Sequence, residues 1–309
     1  MPPRSPLPAR HGLSAAWVRT PDRHSLPLPP WDTMAAWLRD KLPAHVDVAA
    51  FLTSDRFVYG DGRPVLAEDP YLPNTFVWFH RDLRFEEPVP GSLDIVHRDE
   101  RIIVVDKPPF LSTIPRGQHV TQSVVVRLRD SLGLPELSTL HRLDRITSGL
   151  LLLAVSREWR GPYQVMFEHG TVSKTYRALA PWRADLSFPM TVRNHIQKTR
   201  GEWQAFVVPG APVNAETLIE VESRVGDGLA VYRLTPRTGR THQLRLHLNG
   251  LGIPIEGDPL YPVVRETDID DFSRPLQLLA SELAFTDPID ETSRSFVSAR
   301  ELPLLTEGP

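Results

Sequence analysis

The stretch from His141 to Ala154 joins a charged cluster to a long apolar run. It reads His-Arg-Leu-Asp-Arg-Ile-Thr-Ser-Gly and continues with four leucines and an alanine. The apolar run has the length and character of a strand that is buried on both faces. Asp144 would then lie rigidly at the mouth of that strand, where an arginine partner keeps a carboxylate ionised. This pattern leaves two interpretations open: a turn aspartate that pairs with a neighbouring arginine, or a catalytic carboxylate.

The common motifs of cofactor and metal enzymes are absent from the sequence. Two partial glycine motifs, Gly60-Asp-Gly62 and Gly226-Asp-Gly228, lack the third glycine of a dinucleotide-binding loop. The sequence also lacks the Gly-Lys-Ser/Thr phosphate loop, the His-Glu-x-x-His zinc motif and the Gly-x-Ser-x-Gly elbow. Its eleven histidines are scattered without the spacing of zinc ligands. We therefore expect no cofactor and no metal.

Composition narrows the class of protein further. The chain has 309 residues, 41% of them apolar, and a formal net charge of −3, which suits about two globular domains. It contains no cysteine, which excludes disulfides and thiolate chemistry and fits a reducing compartment, so we expect a cytoplasmic protein. No apolar run approaches the ~18 residues of a membrane span, and the proline-rich N-terminus does not resemble a secretion signal.

Charge is distributed unevenly along the chain. Residues 251–309 contain 4 arginine and lysine residues against 12 aspartate and glutamate residues, whereas residues 1–250 contain 31 against 26. An acidic C-terminal part on a mildly basic body permits a polyanionic partner, although a solvated acidic surface explains the same pattern.

Periodicity and turn residues divide the chain into three parts. Residues 1–30 are rich in proline and arginine and lack an apolar period, so we predict a basic arm. Residues 31–90 contain helical and strand patterns that predict a small α/β domain. Residues 91–309 form the larger domain, with short strands between helices that we expect to begin at Thr121 and at Gly161-Pro162. This alternation indicates an α+β protein.

Four segments resemble the motifs of the RluA family of RNA pseudouridine synthases, in the order that the family has them. The resemblance covers about residues 93–300. In chain order, the segments are Val104-Val-Asp-Lys-Pro-Pro109, His141 to Ala154, Lys174-Thr-Tyr176, and Leu234 to His247 followed by Gly257-Asp-Pro259.

The resemblance implies a mixed, mostly antiparallel central sheet with flanking helices. It also implies the isomerisation of uridine to pseudouridine in structured RNA, a reaction that needs no electrons, phosphate or added atoms. By motif position, Asp144 is the catalytic carboxylate and Arg245 holds it ionised and aimed. Tyr176 matches the aromatic residue that stacks on the uracil and assists its proton transfers.

A base within folded RNA must first be extruded, at a cost of a few kcal/mol. The resemblance implies that Arg142 fills the vacancy and stacks between the remaining bases. It further implies that Leu246 lines the uracil slot, and we expect His141 and Thr147 of the first motif to join them in binding RNA.

The sequence departs from the family pattern in places. Phe110-Leu111 stands where the family usually has Gly-Leu, and Leu279-Ala-Ser-Glu stands where it often has Leu-His-Ala. Residues 31–90 loosely resemble the alpha-L RNA-binding domain; the alternative is a domain that only packs on the catalytic one.

We therefore predict a monomeric RNA pseudouridine synthase. We expect it to need no metal and no cofactor and not to bind a membrane. Ribosomal RNA is favoured over transfer RNA as its substrate because of the appended N-terminal domain. Two alternatives stay open: a catalytically silent RNA-binding protein on the same fold, and a glycoside-type hydrolase, which would require a second carboxylate.

Overall fold

A computed structural model describes residues 3–22, 31–226 and 228–306 of the chain. Parts of the predicted N-terminal arm, including Arg23, lie outside the described residues.

The chain divides into two compact units, residues 1–85 and 86–309. We had expected the boundary at residue 90, but Glu86 is already built into the second unit. Its carboxylate accepts hydrogen bonds of 2.8–3.0 Å from three successive backbone N–H groups, those of Val120, Thr121 and Gln122.

The first unit packs two short helices against a small antiparallel sheet. The hydroxyl of Thr33 accepts a 3.1 Å hydrogen bond from the backbone N–H of Ala36 and thereby caps the first helix. The strands lie in the order β1-β3-β2. The elements are β1 (Ala16–Arg19), α1 (Met34–Lys41), α2 (Val48–Thr53), β2 (Val58–Tyr59) and β3 (Phe76–Phe79).

Strand β1 corrects the prediction of an arm over residues 1–30. It pairs with β3 in antiparallel register, with Ala16 opposite Phe79 and Arg19 opposite Phe76. Ala16 and Val18 turn toward the core of the unit because alternate side chains of a strand share a face. Two inward positions among many prolines form too short a pattern to be recognised in the sequence.

The second unit is built on one mixed sheet. Its main path runs β4-β5-β7-β14-β8-β13-β12-β9, with β6 paired to β7 and β15 paired to β14. Only the β7–β14 pair is parallel among the described strands, so the sheet is mixed and mostly antiparallel, as predicted. The strands of this sheet are β4 (Asp94–Arg98), β5 (Ile102–Lys107), β6 (Ser138–Thr139), β7 (Ser148–Ala154), β8 (Ser173–Pro181), β9 (Met190–Asn194), β12 (Ala215–Val225), β13 (Leu229–Pro236), β14 (Leu278–Thr286) and β15 (Ser293–Val297). Two further strands, β10 (Ile196–Gln197) and β11 (Phe206–Val207), pair with each other in a separate antiparallel sheet.

Helices flank this sheet, and two of them begin elsewhere than predicted. The first begins after Ser123 rather than at Thr121. The second begins after Ser156 and contains Pro162, which interrupts one backbone hydrogen bond without ending the helix. None of the described helices combines the length and apolar character that crossing a membrane requires. The helices are α3 (Val124–Leu132), α4 (Arg157–Glu168), α5 (Gln243–Gly250) and α6 (Pro303–Thr306).

A close backbone approach fixes the start of β7, four residues after Asp144. Ser148 and Gly149 pair with Leu279 and Ala280 of β14. Gly149 has φ +106°, and a Cβ atom there would lie less than 3 Å from backbone atoms of Ala280. The Ser-Gly step is therefore required by the packing of two strands, and it holds the preceding turn in place.

Candidate active site

An open cleft of about 1450 Å³ lies in the second unit, at the end of the sheet where β7 begins. Its lining combines the turn before β7, the N-terminal part of β8, the segment from β13 into α5, and the loop between β10 and β11. Nine arginine and lysine side chains line this cleft, against three carboxylates. A cleft with such an excess of positive charge attracts a polyanion.

Three charged side chains form a chain that leads from the protein interior to the cleft. Nη1 of Arg245 donates to Oδ2 of Asp144 at 3.1 Å, and its Nε and Nη2 both donate to Asp258 at 2.7 Å. The side chains of Arg245 and Asp258 are 2% and 1% exposed, whereas that of Asp144 is 34% exposed. The buried carboxylate thus fixes the guanidinium, which in turn holds the exposed carboxylate at the cleft surface.

Asp258 was not assigned a role from the sequence. Its Oδ1 also accepts hydrogen bonds from the backbone N–H groups of Leu260 and Tyr261, at 2.8 and 3.1 Å. Because Asp258 is buried and its hydrogen bonds are made within the protein, it cannot serve as the exposed second carboxylate of a hydrolase. Burial would lower the pKa of Arg245, but hydrogen bonding to Asp258 and the charges of Asp258 and Asp144 raise it.

The Gly257-Asp-Pro259 step explains how Asp258 reaches this position. Gly257 has φ +75°, and a Cβ atom there would meet the carbonyl oxygen of Pro275 at 2.5 Å. Only glycine fits both the left-handed backbone and the close approach. The Gly-Asp pair in the sequence was the one signal that could have pointed to a buried aspartate.

Lys107, at the end of β5, holds the loops around Asp144 together. Its side chain is fully buried, and Nζ donates to the carbonyl oxygens of Pro108, Leu111 and Arg145 at 2.8–3.0 Å. Burial lowers the pKa of Lys107 well below its ordinary value, against the attraction of Asp144. All three donors are used on backbone carbonyls, so this lysine fixes the residue that follows Asp144 in the chain.

Tyr176 lies on β8 and lines the cleft. It is paired with Leu234 of β13 on one side and with Ala280 of β14 on the other. Burial, and then the charge of Asp144, raises the pKa of its phenol above the ordinary value, so the hydroxyl keeps its proton near neutral pH. Its oxygen makes no hydrogen bond with any residue that the structure describes.

His141 and Thr147 lie in the same turn as Asp144 but bind the protein's own backbone. The Nε2 atom of His141 accepts a 3.1 Å hydrogen bond from the N–H of Leu152, and its ring stacks on Phe167 at 4.8 Å. Burial, with the charge of Lys174, lowers the pKa of His141 to about 3, so the ring is a neutral acceptor. Thr147 is buried and donates its N–H to the carbonyl oxygen of Asp144.

Arg142 differs from the other members of the first motif because its side chain points to solvent. It is exposed at the cleft and forms no ion pair with any described residue. A guanidinium in this position is available to a ligand in the cleft.

The structure places Leu246 away from the cleft, contrary to the prediction that it lines a uracil slot. It is buried in a separate cluster with Ile196, Ala205, Ala215 and Tyr261. Residues two positions apart on a helix point about 200° apart, so Leu246 faces away from the side on which Leu244 lies.

Leu244 is the leucine of α5 that lines the cleft, and Leu278 of β14 joins it there. Leu244 and Leu246 are both adjacent to Arg245 in the chain, so adjacency alone does not tell which of them forms the apolar wall.

Two residues that the sequence did not single out lie beside Asp144. Nε2 of His242 is 3.9 Å from Oδ2 of Asp144, and its Nδ1 is 2.9 Å from the hydroxyl of Tyr261. His242 precedes α5 with φ +58°, a left-handed conformation that is uncommon for a residue other than glycine.

The loop between β10 and β11 projects an aromatic side chain at the cleft. Trp203 lines the cleft and is 75% exposed. Nζ of Lys198 donates to the carbonyl oxygens of Thr199 and Glu202, which holds the loop together. Arg200 in the same loop is exposed and forms no ion pair with a described residue.

Phe110 adopts an unusual conformation at the position where the sequence departs from the family motif. It has φ +66° although it is not glycine. Its ring packs on Phe272 at 5.4 Å and lies under the guanidinium of Arg145 at 5.5 Å.

Within the described residues, no group of three or more histidine, aspartate or glutamate side chains is arranged to hold a metal ion.

Comparison with known proteins gives consistent matches. Residues 101–250 match the family model described as RNA pseudouridylate synthase. The chain is 33% identical over 229 residues to the dual-specificity RNA pseudouridine synthase RluA of Pasteurella multocida, covering 69% of this chain and 96% of that protein. It is 32% identical to the protein of the same name from Vibrio parahaemolyticus, covering 69% of this chain and 85% of that protein.

Solved structures agree with these sequence matches. The human RNA pseudouridylate synthase domain containing 1 aligns with a TM-score of 0.53 and 27% identity, over 69% of this chain and 86% of that one. Human RNA pseudouridylate synthase domain containing 4 aligns with a TM-score of 0.51 and 26% identity, over 68% of this chain and 89% of that one.

Proposed function

The chain belongs to the RluA family of RNA pseudouridine synthases, and we propose that Asp144 is the carboxylate with which it isomerises uridine in RNA. The observation that carries this assignment is the chain of ion pairs from Asp258 through Arg245 to Asp144. It holds one carboxylate in a fixed orientation at the surface of a cationic cleft. Oδ2 of Asp144 is bound to Arg245, while Oδ1 makes no hydrogen bond with a described residue and is left to act on the substrate.

The reaction breaks the bond between the ribose and the ring nitrogen of uracil, turns the base, and joins it again through a ring carbon. Asp144 acts on the ribose of the target uridine in this proposal. Such a step needs a charged carboxylate that is already oriented when the reaction begins. The buried Arg245–Asp258 pair provides this orientation, because it holds the guanidinium that binds Asp144.

Tyr176 and Arg142 handle the base and the gap that it leaves. Tyr176 offers an aromatic face on which the uracil can stack and turn, together with a hydroxyl that stays protonated and can assist proton transfers. Arg142 is exposed and unpaired among the described residues. Its planar guanidinium suits the space that a flipped base leaves between its neighbours.

The excess of cations in the cleft supports binding of structured RNA through its phosphates. Phosphate contacts fix register and orientation and carry little sequence information. Trp203 adds a surface on which a base can stack.

We further propose that the substrate is ribosomal RNA rather than transfer RNA, and that the enzyme works as a monomer without metal or cofactor in the cytoplasm. The separate unit of residues 1–85 supports the choice of ribosomal RNA, because an appended domain enlarges the surface for a large RNA. That unit is not strongly basic: residues 1–85 contain ten arginine and lysine residues against nine aspartate and glutamate residues.

Mapping of pseudouridine across total RNA tests the substrate. Three cell lines are compared: one with the intact gene, one without it, and one that expresses Asp144→Asn. We expect a ribosomal uridine to lose its modification in the last two. Sites confined to transfer RNA would contradict the choice of ribosomal RNA, and retention of the modification with Asp144→Asn would overturn the role of Asp144.

A further inference from the structure

The hydrogen bonds around Tyr261 determine which nitrogen of His242 carries the proton. The hydroxyl oxygen of Tyr261 lies 2.8 Å from the N–H of Ala205 and 3.0 Å from its carbonyl oxygen. Ala205 is 2% exposed, so both backbone groups depend on this hydroxyl for a partner. The single proton of the tyrosine must therefore go to the carbonyl oxygen of Ala205.

It follows that Nδ1 of His242, 2.9 Å from the same oxygen, donates its own proton to it. In a neutral imidazole the other nitrogen is then an acceptor. All three contacts of the Tyr261 hydroxyl are satisfied only in this arrangement. The tautomer of His242 thus follows from the hydrogen-bond network.

The unprotonated Nε2 faces the cleft beside Asp144. It is 3.9 Å from Oδ2 of that carboxylate, a distance beyond any hydrogen bond, and two acceptors have no attraction for each other. The side chain of His242 is 11% exposed and lines the cleft. A nitrogen acceptor aimed at an open cleft next to a reactive carboxylate calls for a donor on the substrate.

We propose that Nε2 of His242 accepts a hydrogen bond from the 2′-hydroxyl of the target ribose while Asp144 acts on that sugar. This inference rests on the proposed role of Asp144. In a β-nucleoside the base and the 2′-hydroxyl lie on opposite faces of the ribose ring. A carboxylate that reaches the sugar from the face opposite the base therefore has the 2′-hydroxyl beside it, and His242 is the acceptor next to that carboxylate.

Two consequences follow for recognition. The 2′-hydroxyl is the group by which a protein distinguishes RNA from DNA at a given nucleotide, and His242 would make that distinction at the reacting residue. The strained backbone of His242 fits such a role, because residues in sparsely populated conformations cluster at ligand-binding sites.

The test compares the four combinations of two enzymes and two substrates, as in a double-mutant cycle. The substrates are synthetic RNA stem-loops around the mapped uridine, one unmodified and one with 2′-deoxyuridine at that position alone. The enzymes are wild type and His242→Asn, since asparagine tolerates the left-handed conformation. His45→Asn is the matched control, because His45 is exposed in the first unit.

We expect single-turnover rates to fall about tenfold for either change alone, the effect of losing one hydrogen bond. With both changes together, the rate should fall no further than with one of them, and His45→Asn should give the wild-type rate. Additive losses, or a deoxy substrate converted by wild type at the full rate, would overturn the inference. If Asp144→Asn is active in the same assay, the proposed role of Asp144 fails and takes this inference with it; if it is inactive, an additive cycle rejects His242 alone.

The position of the proton on the His242 ring can also be measured directly, on the wild-type protein. Nitrogen-15 spectra of the wild-type protein with labelled histidine should show a neutral ring protonated at Nδ1 and assigned to His242, beside that of His141, whose Nε2 is also an acceptor. A ring protonated at Nε2 would overturn the inference, because it would have no free acceptor for the ribose.

Discussion

The two faces of the central sheet both carry arginine side chains, but they pair them differently. On the face away from the cleft, Arg177 binds Glu222 and Glu301 at 2.8 and 2.7 Å, and Arg233 binds Glu282 at 3.1 Å. These side chains and Tyr176 lie on opposite faces because neighbouring strand residues alternate.

The cleft face has few such pairs. Lys198 and Arg240 donate to backbone carbonyl oxygens, which satisfy a hydrogen bond without neutralising the charge. Arg142, Arg200 and Lys174 have no carboxylate partner among the residues that the structure describes. Arg245 is bound to two carboxylates, and one of them is the group assigned to catalysis.

This difference separates charge that stabilises the protein from charge that is held for a ligand. Exposed pairs such as those on the back face contribute about 0–1 kcal/mol each to the free energy of unfolding. Cations without a carboxylate partner keep their attraction for phosphate. Substitutions matched between the two faces should therefore have effects of different kinds.

Removal of the cleft carboxylate should have the largest effect. Asp144→Asn keeps the shape of the side chain and loses its charge, so we expect pseudouridine formation to fall by more than about a thousandfold, or ~4 kcal/mol in the barrier. Affinity for RNA should change little. The measurement is single-turnover release of tritium from uridine labelled at C5.

The matched control on the back face is Glu282→Gln, which also breaks a pair with an arginine. It should retain the wild-type rate. A comparable loss of rate in Asp144→Asn and Glu282→Gln would show that the ion pairs on the two faces do not differ in their importance for catalysis.

Asp258→Asn should have a smaller effect on turnover but a clear effect on stability. It leaves Arg245 buried with one partner removed, and breaking a buried pair costs about 3–5 kcal/mol. The remaining guanidinium would aim Asp144 less well, so we expect the rate to fall about a hundredfold. Denaturant unfolding and the same tritium assay measure the two quantities.

Glu222→Gln removes a partly exposed partner of Arg177 and serves as the control. It should change the free energy of unfolding by less than about 1 kcal/mol. If Asp258→Asn is no less stable than Glu222→Gln, the buried pair does not anchor the site in the way that its geometry indicates.

The sequence predicted the parts of the site that depend on local pattern. The apolar run of β7 is a strand, and the aspartate before it lies at the cleft. The pairing of Asp144 with Arg245 came from the resemblance of motifs, since the two residues are far apart in the chain.

What could not be predicted depends on tertiary packing. Asp258 is recognisable as the anchor of Arg245 only when the turn at Gly257 has been packed against Pro275. The direction of Leu246 depends on the rotation of α5 about its axis, which no local pattern defines. The tautomer of His242 depends on a backbone group at Ala205, well outside its own motif.

The smallest expected effect tests the comparison most directly, through the salt dependence of RNA binding. Each phosphate contact that is lost reduces the log–log slope of affinity against salt by about one unit. Arg200→Gln in the cleft should lower the slope by that amount, because this exposed side chain has no carboxylate partner among the described residues. Arg177→Gln on the back face removes the same charge and should leave the slope unchanged, since its two glutamates already neutralise it. Affinities measured by filter binding across a range of potassium chloride concentrations give both slopes. Equal slopes in the two variants would mean that RNA responds to the total charge of the protein rather than to the unpaired cations of the cleft.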